Sequence, residues 1–173
     1  RDLPRPIIGY VGNLRDRVNW PLIERIAQAY PDGSIVLVGS AHGRPEVAAI
    51  AERHANIHML GVRPYEEALQ IMRGFDVAIM PHLQNALSDR MNPLKLYVYF
   101  ASGLPIVASA VANIDELAPY IAVADTDDQF MAQLKAVLNG WIPPVNPALR
   151  DYLVSKMSWQ ARINAIWRVL EGE

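Results

Sequence analysis

The chain has 173 residues, 51% of them apolar and 20% charged, which suits one substantial folded domain and excludes a disordered one. A net charge of −2 argues against the basic footprint of a nucleic-acid binder. Cysteine is absent, which removes disulfides, thiolate metal sites and thiol nucleophiles and points to a reducing, cytoplasmic setting.

The opening RDLPRP (1–6) has two prolines in six residues, so an extended linker is expected there. It has neither an initiator Met nor a signal-peptide pattern, and the chain reads as a piece of a longer protein. IIGYVG (7–12) is a short apolar run and predicts a buried strand. In 19–30, Leu22, Ile23, Ile26, Ala27 and Tyr30 recur at helical spacing behind a candidate N-cap, Asn19. SIVLVG (34–39) predicts a second strand, 44–55 a helix and IHML (57–60) a third strand. The segment 63–75 opens with Pro64 and carries Glu66 and Glu67 early, as a helix start favours. DVAIMP (76–81) predicts a fourth strand, followed by a polar stretch (82–92) and a helix from Pro93. Strands are expected at 106–109 and 120–124. A capped helix over 126–140 stops at Gly140. Two helical patterns close the chain, the last with Trp159, Ile163, Ile166 and Leu170 as a core-facing stripe. No apolar run reaches the ~20 residues of a transmembrane helix.

Continuously apolar strands alternating with helices predict an α/β fold: a doubly wound, Rossmann-like parallel sheet of about six strands, with helices on both faces. The expected strand order is 3-2-1-4-5-6, in a single domain over 1–173. Ligands of such sheets bind beyond the strand ends where the order reverses, here the turns after strands one and four. The first turn carries Gly12 and Asn13, and Gly9 inside the strand reads as structural. There is no G-x-G-x-x-G, so the nicotinamide fingerprint is missing.

The second turn is longer than the usual ~2–6 residues and holds His82, Asn85, Asp89, Arg90 and Asn92 before Pro93. Pro93 at the first helical position would leave the amides of Leu94, Lys95 and Leu96 to face an anion. Dipole and amides supply only about 0.3–2 kcal/mol per charge, too little to hold a diphosphate unaided. Lys95 opposes the helix dipole unless an anion bridges both, so it reads as a phosphate ligand or a solvated surface lysine. Arg90 is a second candidate cation. His82 reads either as ligand-facing or as a hydrogen-bonded structural residue. His54 and His58 lack metal-site spacing, there is no Asp-x-Asp, and SAHG (40–43) lacks a nucleophile elbow.

NPLKLYVYFASGLPIVAS (92–109) resembles the donor-site helix of GT-B-fold glycosyltransferases of the family-4-like group (glycosyl transferases group 1), with its pattern P-x-K-x-x-E-Y-x-A-x-G-x-P. PIIGYVGNL, SIVLVGS, NIHMLGVRPYEEALQIMRGFDVAIMP and SWQARINAIWRVLE fall in the same order as in that group. The resemblance implies the C-terminal, nucleotide-sugar-binding half of a two-domain transferase. Gly12 and Asn13, followed by Arg15 or Arg17, would lie near the donor phosphates. Gly61, Val62, Arg63 and Tyr65 would border the nucleobase. Asn92, Pro93, Leu94, Lys95 and Leu96 would face the diphosphate, with Lys95 and Arg90 stabilising the leaving group.

No cofactor or metal is implied beyond the donor itself. The acceptor would sit on an N-terminal domain, through which peripheral membrane association could arise, and the fragment alone would be inactive. The sequence departs from the pattern where Glu normally binds the ribose: here Val98 stands, and the acidic residue eight positions earlier is Arg90. A non-catalytic nucleotide-binding module is therefore one alternative. The other is a nucleotide-sugar epimerase, with His82 as its acid/base candidate.

Overall fold

A computed structural model describes residues 2–88, 90, 92–141 and 147–171. Six strands form one parallel sheet in the order β3-β2-β1-β4-β5-β6. They are β1 (Ile7–Val11), β2 (Ser34–Val38), β3 (Ile57–Gly61), β4 (Val77–Met80), β5 (Ile106–Ser109) and β6 (Ala122–Ala124). The largely apolar runs have a direct reason, that both faces are covered, and the polar positions Ser34, His58 and Ser109 fall at strand ends or on the edge strand β3. Along β2, Ile35 and Leu37 enter one core while Val36 and Val38 enter the other.

Helices α1 (Trp20–Ala29), α2 (Pro45–Arg53) and α5 (Asp127–Leu138) fill the first core, through Leu22, Ile23 and Ile26, Val47 and Ile50, and Phe130 and Leu134. The second face is covered by α3 (Tyr65–Met72) and α4 (Leu94–Ala101), which contribute Met72, Leu96, Tyr99 and Phe100. Helix α6 (Pro147–Met157) leans on that core through Leu153, Val154 and Met157. Asn19 caps α1 as expected, its side-chain oxygen accepting from the Leu22 amide at 3.1 Å. Thr126 does the same for α5, from the Gln129 amide at 3.2 Å.

Three boundaries differ from expectation. Pro64 and Pro93 are the residues before α3 and α4, not their first helical residues. The sixth strand is shorter because Pro119 sits in a 3₁₀ turn over Ala118–Tyr120. Within the opening segment, Arg5 pairs with Asp76, and the Pro6 carbonyl accepts from the Ser34 amide at 2.9 Å. That ties residues 5 and 6 to the sheet.

The final helix, α7 (Trp159–Glu171), corrects a sequence expectation. Its stripe is not core: Trp159, Ile166 and Leu170 are 69%, 60% and 70% exposed. The helix rests on its other side, where Ala161 and Arg162 are half-buried and Arg162 donates to Glu116 at 2.9 Å. Among the described residues no helix is long and apolar enough to cross a membrane.

Gly9 is structural for a steric reason. A Cβ there would fall 2.0 Å from the Phe75 ring. Gly9→Ala should therefore cost about 2–3 kcal/mol in urea unfolding. Phe75→Leu in the same chain should recover part of that loss, so the double variant is less destabilised than the sum of the singles.

Candidate functional site

The sheet order reverses between β1 and β4, and the segments leaving their carboxyl ends are laced together. Val18 bridges His82, the Leu83 amide donates to the Arg17 carbonyl at 2.7 Å, and the Asn19 amide donates to the Pro81 carbonyl at 2.8 Å. Arg17 and His82 are thereby held at one mouth. On the other side, Tyr99 fixes α4 to β1: its hydroxyl accepts from the Val11 amide at 2.7 Å and donates to the Val11 carbonyl at 3.1 Å.

Lys95, in the first turn of α4, reaches inward. Its amine donates to the Tyr10 hydroxyl, lies 4.0 Å from the centre of the Tyr10 ring and sits 3.4 Å from His82 Nε2. Tyr10 and His82 are 1% and 4% exposed. Glycine at residue 12 leaves the amine this place, since a Cβ there would stand 2.5 Å from Nζ and the lysine would have to shift. Gly12 has φ +153°, a backbone shape that side chains disfavour. Gly39 repeats the constraint one strand over: a Cβ on it would lie 1.7 Å from the Gly12 carbonyl oxygen.

Among the described residues, no carboxylate forms an ion pair with Lys95. Burial, and next the charge of Arg17, push its amine down to about 7. Burial also pushes His82 down to about 3, with Lys95 and Arg17 adding to the effect, so the imidazole is neutral. Burial raises Tyr10 well above the usual phenol range, and Arg17 offsets a little of this.

A cavity of about 500 Å³ opens above this cluster, lined by Tyr10, Asn13, Arg15, Arg17, His82, Asn92, Pro93, Leu94 and Lys95. Asp16 also lines it and is paired to Arg44. A second cavity of about 560 Å³ shares Asn92 and Leu94 with the first. It runs along α4 past Val98, Tyr97, Tyr65, Leu69, Trp159 and Arg162, and no carboxylate is among its lining residues.

The structure thus brings Gly12, Asn13, Arg17, His82, Asn92, Pro93, Leu94 and Lys95 together, and places Tyr65 and Val98 in the adjoining cavity. Gly61, Val62 and Arg63 lie outside both, Arg63 within 3.9 Å of Glu67. Arg90 is exposed and lines neither cavity, while the Leu96 side chain is core. The proposed crown of free amides needs correction. The Leu94 and Leu96 amides donate to the Asn92 and Pro93 carbonyls, both at 2.9 Å, because the chain turns tightly before α4. Asp89 falls outside the described residues. Tyr10 and Tyr99 escaped the sequence reading. The one available signal was a hydroxylated aromatic inside an otherwise aliphatic strand, IIGYV. No three His, Asp or Glu among the described residues converge as a metal site would require.

Comparisons with known proteins bear on the family and the fold. Residues 5–140 match the profile of the family described as glycosyl transferases group 1. A Bacillus subtilis protein named as a teichuronic acid biosynthesis glycosyltransferase, TuaH, is 25% identical over 167 residues, which are 94% of this chain and 42% of that protein. The chain thus spans less than half the length of that relative. Among solved structures, a glycosyltransferase from Rickettsia africae superposes with a TM-score of 0.75 at 11% identity, covering 97% of this chain and 48% of its own. A sucrose-phosphate synthase from Thermosynechococcus elongatus does so with 0.72 at 17%, covering 95% and 45%. These likenesses show the fold, the doubly wound GT-B type expected from the sequence.

The neutral imidazole makes stability fall in acid. Between pH 6.5 and about 3 the unfolded chain binds a proton that the folded chain refuses. His82 therefore withdraws stability as pH drops, by at most about 1.4 kcal/mol per pH unit. In urea unfolding, wild type should lose about 1–2 kcal/mol relative to His82→Gln between pH 7 and pH 5.

Proposed function

The chain belongs to the group 1 glycosyltransferases, and on that premise we propose that it is the C-terminal, donor-binding half of an enzyme that transfers sugar from a nucleoside diphosphate. One observation carries the reading: a half-buried lysine whose amine turns inward, with no carboxylate partner among the described residues, opens into a cavity flanked by Arg15 and Arg17. Desolvated cations without a counter-charge are costly, and a diphosphate supplies that charge. In glycosyl transfer the diphosphate leaves with growing negative charge. Lys95 and Arg17, already in place and partly out of water, with the exposed Arg15 beside them, stabilise that charge more in the transition state than in the ground state. This scheme assigns the step no cofactor beyond the donor.

The nucleoside then extends from the shared Asn92–Leu94 rim into the second cavity, past Tyr65 and Val98. Val98 offers the ribose no hydrogen-bond acceptor, so affinity rests on the diphosphate and on aromatic contact. The acceptor and any general base belong to the N-terminal half of the full protein, which works in the cytoplasm and makes any peripheral membrane contact. Val98 and the outlying Arg90 also support a second reading, a module that binds nucleotide without catalysis. Sugar transfer by the complete protein, abolished by Lys95→Ala, separates the two.

A thermal-shift panel of UDP-, ADP-, GDP- and dTDP-glucose should find at least one ligand that raises the melting temperature of this chain. Lys95→Ala should weaken it about 10–100-fold, the value of a charge-assisted hydrogen bond. A panel without any shift overturns the donor reading. Val98→Glu should tighten the same ligand several-fold in titration calorimetry. Unchanged or weaker binding would remove Val98 from the ribose. The chain alone should bind donor yet transfer no sugar, and detectable transfer would refute that division of labour.

A further inference from the structure

A carboxylate stands among the cations of the first cavity. Asp16 is the one carboxylate among the described residues that line either cavity, and it lies between Arg15 and Arg17 in the chain. A carboxylate repels a diphosphate, so its place there needs a reason.

Its charge is not left open. Arg44 Nη1 donates to Asp16 Oδ1, and Arg44 Nε donates to Glu46. Arg44 is half-buried and stands at the start of α2. The turn that carries it is tied to the turn that carries Asp16. The Leu14 amide donates to the Ser40 carbonyl and the Arg44 amide to the Ala41 carbonyl, both at 3.0 Å. Asp16 Oδ2 makes no hydrogen bond among the described residues. A carboxylate with its charge partly met by a cation and one oxygen unspent is suited to accept from hydroxyl groups.

The position of Asp16 fits the same role. The second cavity shares only Asn92 and Leu94 with the first, so a nucleoside leaving by that rim departs on the α4 side. Asn13, Arg15, Asp16 and Arg17, from the turn after β1, line the first cavity alone. The sugar of a nucleotide sugar is at the other end of the diphosphate from the nucleoside.

Resting on the reading of these cavities as a donor site, we propose that Asp16 binds the sugar of the donor, its free carboxylate oxygen accepting from a sugar hydroxyl, and that Arg44 is a positioning residue that holds and screens this carboxylate beside the diphosphate. No covalent bond forms or breaks in this step. The carboxylate fixes how the sugar lies, while Lys95, Arg15 and Arg17 hold the diphosphate.

Titration calorimetry on this chain tests the assignment with ligand pairs, each of the four nucleoside diphosphate glucoses against its free nucleoside diphosphate. Asp16→Ala removes an acceptor and a negative charge together. The glucose-bearing member should bind about 3–10-fold more weakly, the value of one hydrogen bond to an exposed charged group. The free diphosphate should bind as before or more tightly, because a repulsive charge has gone. A carboxylate that only shaped the turn would shift both members alike. Asp16→Asn keeps an acceptor oxygen and should recover part of the glucose loss. Arg44→Ala should weaken both members in wild type and have little effect in the Asp16→Ala background. An equal cost in both backgrounds overturns the part given to Arg44. Equal shifts of both members on Asp16→Ala, or no shift of either, overturn the sugar assignment and leave the donor reading standing. No binding of any of these ligands by wild type overturns both.

Discussion

A lysine amine turned inward, with no ion-paired carboxylate among the described residues, is the constraint around which the carboxyl end of this sheet is arranged. The arrangement is nested. Lys95 occupies the space that a side chain on residue 12 would take, and the Gly12 carbonyl occupies the space that a side chain on residue 39 would take. Tyr99 fixes α4 against β1 so that Lys95 points inward rather than along the surface. Tyr10 then meets the amine from below. Each contact presupposes the one before it, so the two glycines, two tyrosines and the lysine act as one unit. Geometry of this kind is fixed by the fold before any ligand arrives, which is what preorganised electrostatics require.

Helix α4 divides the space in two. Its first turn faces the cationic cavity through Lys95, and Leu94 and Val98, one turn apart, face the apolar one. The shared rim at Asn92 and Leu94 makes the two cavities neighbours along one path. Lys95, Arg15 and Arg17 gather at one end, whereas Arg162 at the other is paired with Glu116 amid apolar surface, which suits a ligand with a polyanionic centre and a flatter, less charged end. The same helix buries Leu96, Tyr99 and Phe100 in the core. Its position is therefore set by packing, and the site inherits that rigidity.

The fold was legible because it is written in long, redundant patterns. Six apolar runs of strand length, alternating with helical spacing, allow few arrangements besides a parallel doubly wound sheet, and Asn19 and Thr126 announce their helices by side-chain chemistry alone. The location of the site followed from topology. Its interior did not, because the direction of a side chain is not periodic. Lys95 could be read as a phosphate ligand at a helix start or as a solvated surface cation, and only the packing of Tyr99 and the space at Gly12 show that it turns inward. The amides of Leu94 and Leu96 looked free because the tight turn before them leaves no mark in the sequence. The stripe on α7 failed differently. Periodicity reports that a helix has one apolar face, not that anything in the same chain covers it.

The choice of cations follows the same physics as the choice of glycines. Arg15 is exposed and Arg17 half-buried, whereas the amine of Lys95 is taken inside. A guanidinium cannot shed its charge under these conditions, so burying one without a counter-charge would carry the full desolvation cost. An ammonium can lose its proton, and its burial then costs no more than that of a neutral polar group with two acceptors at hand. Lysine is thus the cation whose partial burial this cluster tolerates best, while the arginines at the wet rim keep a permanent field that draws an anion in. Exchanging the two types would leave the rim weaker and the interior unstable, although the net charge would be the same.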